Sequence, residues 1–175
     1  MIMLDAVLLI LGVPDHEDHD VTLRRVNGRL DVVSIEEKSP AMDENLVDKA
    51  FNYTRNASKQ LVVLQVLTSG LFHWGFNDVI LSGPAKIRFI GYVREKVYDK
   101  SLEATKILEE KALQYNLPIE IKRIETDDPV SVVLEEARKG YNRIFIGRGK
   151  KRIFPLFKKS IEQQLRKNIS VPIEN

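Results

Sequence analysis

Along the chain, short runs of consecutive apolar residues alternate with stretches whose apolar positions recur at helical spacing. That order predicts βα units around a mainly parallel sheet. Ala6–Leu11 is continuously apolar rather than alternating, as a strand buried on both faces must be. Pro14–Asp20 reads as a polar loop. Val21–Val26 and Leu30–Ile35 are β-prone runs around Asn27-Gly28, the dipeptide best suited to a type I′ turn, so a hairpin is expected there. Ser39-Pro40 offers an N-cap and a first helical position, and Asp43 and Glu44 favour the same helix end through the macrodipole. Met42, Leu46, Ala50 and Ala57 keep one apolar face as far as Ser58.

Gln60–Leu67 predicts a second buried strand, followed by an aromatic-rich loop from Thr68 to Ser82. Gly83-Pro84 opens a long helical stretch to about Asn116, with Ile90, Val93, Val97, Ala104, Leu108 and Ala112 on one stripe and a break or bend expected at Asp99–Ser101. Pro118–Ile124 is a third strand. Asp128-Pro129 caps a helix carrying Val130, Val133, Leu134 and Ala137, which Gly140 ends. Arg143–Ile146 is a fourth strand and Gly147–Lys151 a loop. A last helix, with Pro155 in its first turn, carries Phe157, Ile161 and Leu165, and Ser170–Ile173 closes the pattern as a short strand. No internal repeat, low-complexity segment or linker interrupts this order, so one domain over residues 1–175 is expected, with 21–35 as a hairpin insertion.

Composition narrows the function classes. With 175 residues, 43% of them hydrophobic and 30% charged, the chain has an ordinary globular balance and enough length for a real core. The absence of cysteine excludes disulfides, thiolate metal sites and a cysteine nucleophile, and it fits a reducing, cytoplasmic setting. The apolar run Ala6–Leu11 is too short for a membrane span and lacks the basic flank of a signal peptide, so no membrane role is expected. In that setting the triplets beginning at Asn52, Asn56 and Asn168 carry no meaning for glycosylation. A net charge of +2 does not point to nucleic acid.

From Lys59 onward the order and local chemistry resemble the universal stress protein family. The likeness is nearest from Ile119 to the end: a strand, Asp-Asp-Pro opening a helix, Glu-Glu-Ala-Arg-Lys-Gly-Tyr, then Arg-Ile-Phe-Ile-Gly-Arg-Gly. A basic loop follows, with Lys159-Ser160-Ile161-Glu162 and Ser170-Val171-Pro172-Ile173 beyond it. The resemblance covers roughly two-thirds of the chain. It implies a three-layer α/β sandwich with a mainly parallel five-stranded sheet whose first strand lies in the middle. A central strand has no free edge for a hairpin partner, so Ala6–Leu11 is assigned as that strand and the hairpin as an insertion. The competing assignment makes Leu30–Ile35 the first strand and residues 1–28 an extension.

The resemblance also implies a site. ATP-binding members carry Gly-x-x-Gly after the fourth strand and, further on, Gly-Ser or Gly-Thr opening a helix. The matching positions here are Gly147, Arg148 and Gly149, one residue short, with Lys159 in place of the later glycine and Ser160 retained. Backbone N–H groups of such a loop cradle phosphates; otherwise the glycines merely make the tight exit from the strand. The family's acid at the end of the first strand has no clean counterpart. Gly12 follows Leu11 and Asp15 is the nearest acid, whereas under the competing assignment Glu36 lies near.

Other features are less specific. Arg148, Lys150, Lys151, Arg152, Lys158 and Lys159 form a basic run without an acid, able to attract phosphate, an acidic protein or RNA, though such a run often is only a solvated face. Asp15-His16-Glu17-Asp18-His19-Asp20 reads as a polar loop rather than a metal site, and no metal is expected. Phe72–Asp78, with the sole Trp, either covers a ligand crevice or packs as a small satellite core. No nucleophile elbow, Walker-type loop or zinc-protease motif is present. The reading is therefore a regulatory domain binding ATP or another adenine nucleotide without turnover. Its alternatives are a nucleotide-independent interaction module of the same fold, or a nucleotide hydrolase or transferase. A homodimer is expected because an uncovered parallel-sheet edge is a liability; the last strand, through which the resemblance implies pairing, is short and carries Pro172, so the interface itself is left open.

Overall fold

The protein is described here by a computed structural model over residues 4–12, 19–26, 29–37, 43–68, 84–126, 128–146 and 161–174. In chain order its elements are β1 (Ala6–Gly12), β2 (His19–Val26), β3 (Arg29–Glu37), α1 (Glu44–Asn56), β4 (Gln60–Thr68), α2 (Pro84–Tyr115), β5 (Ile119–Thr126), α3 (Pro129–Ala137), β6 (Arg143–Ile146), α4 (Ile161–Asn168) and β7 (Ile173–Glu174). Five strands form one wholly parallel sheet in the order β5-β4-β1-β6-β7. β1 is the middle strand: Leu8 lies in register with Val62 on one side and with Ile144 on the other.

A strand between two parallel neighbours has both faces covered, and successive side chains go to opposite faces. Val7, Leu9 and Leu11 accordingly join Leu61, Val63 and Phe145 under α1 and α2, which contribute Leu46, Val47, Ala50, Phe51, Ala104, Leu108 and Ala112. Ala6, Leu8 and Ile10 join Val62, Leu64, Val66, Ile144 and Ile146 on the other face, against Val133 and Ala137 of α3 and Leu165 of α4. The result is the three-layer α/β sandwich, helices on both sides of a mainly parallel sheet.

β2 and β3 stand apart as a two-stranded antiparallel sheet, with Val21 opposite Ile35. The Asn27-Gly28 turn lies outside the described residues. Among the described residues β3 pairs only with β2, and the middle of the parallel sheet is held by Ala6–Gly12, so the assignment of Leu30–Ile35 as its first strand is corrected. β2 also begins at His19, two residues inside the stretch read as polar loop.

Helix boundaries follow their local chemistry. α1 starts one residue after Asp43, whose side-chain Oδ1 accepts the Leu46 N–H at 3.1 Å, so Asp43 caps this helix; Ser39-Pro40, read as its start, lie outside the described residues. Positive φ at Ser58 (53°) ends that segment, and Asn116 (48°) does the same after α2. Asp128 caps α3 with Pro129 behind it, and Gly140 turns the chain at φ 90°. A break or bend was expected at Asp99–Ser101; α2 is one continuous helix there, so the chain does not break. The Ser101 hydroxyl bonds back to the Tyr98 carbonyl (2.7 Å) within the helix, so its polar side chain is absorbed without interrupting the ladder. β7 is shorter than expected, two residues, although the Pro172 carbonyl still accepts the Ile144 N–H at 3.0 Å.

The middle strand sets the stability. Leu9→Ala, at a fully buried position in contact with α1 and α2, is expected to cost about 2–5 kcal/mol. Exposed Leu113→Ala should stay within about 0.5 kcal/mol. Urea unfolding of the two variants against the parent measures the difference.

Candidate functional site

The sheet order creates one special place. β1 and β6 are adjacent, but the first helix after β1 in the chain, α1, packs on one face and the helix after β6, α4, on the other. Where connections depart to opposite faces, the carboxyl ends of the two strands border a crevice. Its described rim is Gly12, the last residue of β1, and Ile146, the last of β6, which is paired with Ile10. α4 leads into β7, which runs parallel to β6, so its first turn lies at the same edge of the sheet. First-turn N–H groups lack helical partners and favour negative charge. Glu162 sits in that turn, and Arg166 one turn later engages it at 3.0 Å through both Nε and Nη2.

Gly147, Arg148, Gly149, Lys159 and Ser160 lie outside the described residues, as do the rest of the basic run, Asp15–Asp18 and the aromatic segment 72–78. The described chain stops at Ile146 and resumes at Ile161, the two residues that flank the predicted phosphate loop. The expected acid is resolved differently. Gly12 ends β1 in register with Val66. Glu36 is opposite Asp20 in the separate antiparallel sheet and does not end a strand of the parallel one. Among the described residues no group of three or more His, Asp or Glu side chains stands ready to hold a metal ion.

A buried polar cluster escaped the sequence reading. Gln65 is the one polar residue within the run Leu61–Leu67, and it is buried. Its Nε2 donates to the Ser101 carbonyl (3.1 Å), and its Oε1 accepts from the Thr105 hydroxyl (3.2 Å). Arg123, the register partner of Gln65 on β5, donates through Nη2 to Thr105 Oγ1 (2.7 Å) and to the Ser101 carbonyl (3.4 Å), and it covers the Tyr98 ring at 5.4 Å. The signal was the break in an otherwise apolar run. The cluster ties the middle of α2 to two adjacent strands, since a buried amide must find partners or lose stability.

The strongest electrostatic perturbation lies away from the crevice. Glu136, near the C-terminus of α3, is 4% exposed and accepts hydrogen bonds from Lys122 (2.7 Å) and Lys139 (2.7 Å) and from the Tyr141 hydroxyl. Burial opposes its ionisation, but these three donors outweigh it and hold the carboxyl at about 2, against an ordinary 4.5. Burial, and then the bond to Glu136, push the Tyr141 hydroxyl well above its ordinary range. Because the carboxyl pKa is depressed by folding, its stabilisation is present above pH 4.5 and is lost as pH falls toward 2. Glu136→Gln should therefore be less stable than the parent at pH 7 by up to about 3 kcal/mol. The gap should close on acidification through that window, as denaturant titrations at several pH values would record.

Neither a protein-family model nor a curated protein matches the chain. Solved structures do. Universal stress protein UspA from Lactobacillus plantarum superposes with a TM-score of 0.56 at 10% identity, covering 95% of this chain and 94% of its own. A protein from the universal stress protein family from Burkholderia pseudomallei gives 0.51 at 13% identity over 95% and 92%. A third, the hypothetical protein MJ0577, gives 0.54 at 11% identity over 99% and 95%. The parallel sheet with β1 at its centre, the helices on both faces and this near-complete superposition together make the fold of the chain that of the universal stress proteins.

Proposed function

We propose that the chain is a universal stress protein-like regulatory domain of the cytoplasm, binding an adenine nucleotide at the loop after β6 and not turning it over. The observation that carries this is the adjacency of β1 and β6 at the switch point of the sheet. Gly147-Arg148-Gly149 follows β6 directly in the sequence, and Ser160 directly precedes α4. Phosphate oxygens at that edge would meet backbone N–H groups of the glycines and of the helix N-terminus. Arg148 and Lys159 would supply charge.

The departures from the family pattern set the affinity. Gly12 at the end of β1 brings no carboxylate to a ribose. Lys159 replaces the close backbone approach of a glycine by a flexible cation. Both favour weak binding in which the phosphates supply most of the attraction. The basic run supports a second reading, an interaction module that captures an acidic protein without nucleotide.

Thermal melting with millimolar ATP, ADP or AMP separates the two. A nucleotide at 100 times its dissociation constant adds about 2.7 kcal/mol of stability. Gly149→Val should abolish the shift by blocking the backbone approach, and Lys159→Gly should enlarge it. If no nucleotide moves the melting of either the parent or Lys159→Gly, the nucleotide reading is wrong and the interaction module takes its place.

A further inference from the structure

α2 is longer than the sheet it serves. Its 32 residues span about 48 Å, whereas the 8 residues of β5 span about 26 Å. The helix ends at Tyr115, just ahead of β5, so the surplus lies at its start. Arg94 marks the level: its Nε (2.8 Å) and Nη2 (3.1 Å) reach Glu125, the last residue but one of β5. From Arg94 back to Pro84, about 15 Å of helix stands beyond the carboxyl edge of the sheet, the edge that holds the crevice.

The two halves of α2 are held differently. The second buries Ala104, Leu108 and Ala112 in the core, whereas Ile87, Gly91 and Arg94 of the first are exposed. β3 lies against α2, and among the described residues no ladder joins it to the parallel sheet. A two-stranded ribbon needs such a support. Its register shifts between Thr22 and Leu23, which keeps Val21, Leu23, Val32 and Ile35 on one apolar face despite the extra residue Val33.

Between the halves, the Ser101 carbonyl draws three side-chain donors: Gln65 Nε2 (3.1 Å), Thr105 Oγ1 (2.8 Å) and Arg123 Nη2 (3.4 Å). The Ser101 hydroxyl in turn bonds back to the Tyr98 carbonyl. Side chains that enter the ladder of a helix, and hydroxyls that bond back along it, are recognised causes of bending. Gln65 and Arg123 are register partners on β4 and β5, so this turn is fastened to the sheet. Above it, Arg94 grips Glu125 through an exposed pair for which water competes.

We infer that α2 pivots at Ser101, and that Pro84–Tyr98, with the β2–β3 ribbon carried on the helix, is a flap beside the crevice that bound ligand draws closed. The closing step rests on the proposed nucleotide site; the pivot does not. A ligand at the carboxyl ends of β1 and β6 meets the flap only in its closed position, and that difference in contact is what shifts the balance.

The chain contains no cysteine, so introduced thiols carry spin labels without background. Asn45 is exposed at the start of α1, and Leu113 is exposed on the fastened half of α2. Gly91 is exposed in the flap, and a β-carbon added there would meet nothing within 4 Å. Pulsed electron resonance on Asn45→Cys/Gly91→Cys should give a broader distance distribution than on Asn45→Cys/Leu113→Cys. Millimolar ATP should narrow the first and leave the second unchanged. In amide exchange without nucleotide, Pro84–Tyr98 should exchange about tenfold or more faster than Leu102–Tyr115. Gln65→Leu removes one donor from the pivot and should carry the fast zone past Thr105, while circular dichroism shows the chain folded. Equal widths for the two label pairs, or uniform exchange along α2, overturn the pivot and with it the flap. If ATP shifts the melting but leaves the Asn45/Gly91 distances unchanged, the closing step is wrong and the nucleotide site stands. If ATP shifts neither, the nucleotide site and the closing step fall together, and the unliganded widths alone decide the pivot.

Discussion

One constraint organises the molecule: β1 must be apolar on both faces and hydrogen-bonded on both edges at once. Leu8 and Leu9 are neighbours in sequence, yet each is fully buried in a different core, and the two cores are what α1 and α2 on one side and α3 and α4 on the other have to cover. A charge anywhere between Val7 and Ile10 would enter one of these interiors without a partner, at a cost of several kcal/mol. Because β1 has β4 and β6 on its flanks, the edges of the sheet fall to β5 and β7, and the crevice falls to the carboxyl ends of β1 and β6. The candidate site is thus a by-product of where the most apolar strand is placed.

Much of this was legible because parallel strands announce themselves as unbroken apolar runs. Ala6–Leu11, Gln60–Leu67 and Arg143–Ile146 were placed within a residue or so; the family resemblance implied a central first strand, and the impossibility of a hairpin partner there chose Ala6–Leu11 over Leu30–Ile35. The places where the reading slipped involve competition between equally good local signals. Ser39 and Asp43 are both good N-caps by residue type, and in the folded chain it is Asp43 that accepts the Leu46 N–H. Asp99–Ser101 looked like a breaker because polar residues prefer local bonds. In the folded chain Ser101 satisfies such a bond inside the helix, while its carbonyl accepts from Gln65 and Arg123. Those are tertiary partners that no window of local sequence contains.

The candidate site was legible to a different degree. The glycines after β6 and Ser160 before α4 were proposed from a motif and lie outside the described residues, which stop at Ile146, the end of β6, and resume at Ile161, the start of α4. The acid was not decidable from sequence, since Asp15 and Glu36 depended on rival strand assignments. Pairing of β3 with β2 disposes of Glu36 and leaves Gly12 at the end of β1. Gln65 was passed over because a single polar residue in an apolar run is easily taken as noise. Its register partner Arg123 shows that the two form one bridge between neighbouring strands and a helix.

The pairing of β1 with β6 has a consequence for how the chain is made. Val7 lies beside Arg143, so the centre of the sheet joins segments far apart along the chain. Synthesis is directional and slow relative to local structure formation. A nascent chain can therefore bring β1 to β4 and build the face under α1 and α2 long before its second neighbour exists. Until β6 emerges, Leu8 and Ile10 have water or a chaperone where Ile144 and Ile146 will be. Non-local closure of this kind is intrinsically late and exposes apolar surface to association. In the cell, the most buried strand of the finished protein is one that waits longest for its full set of neighbours.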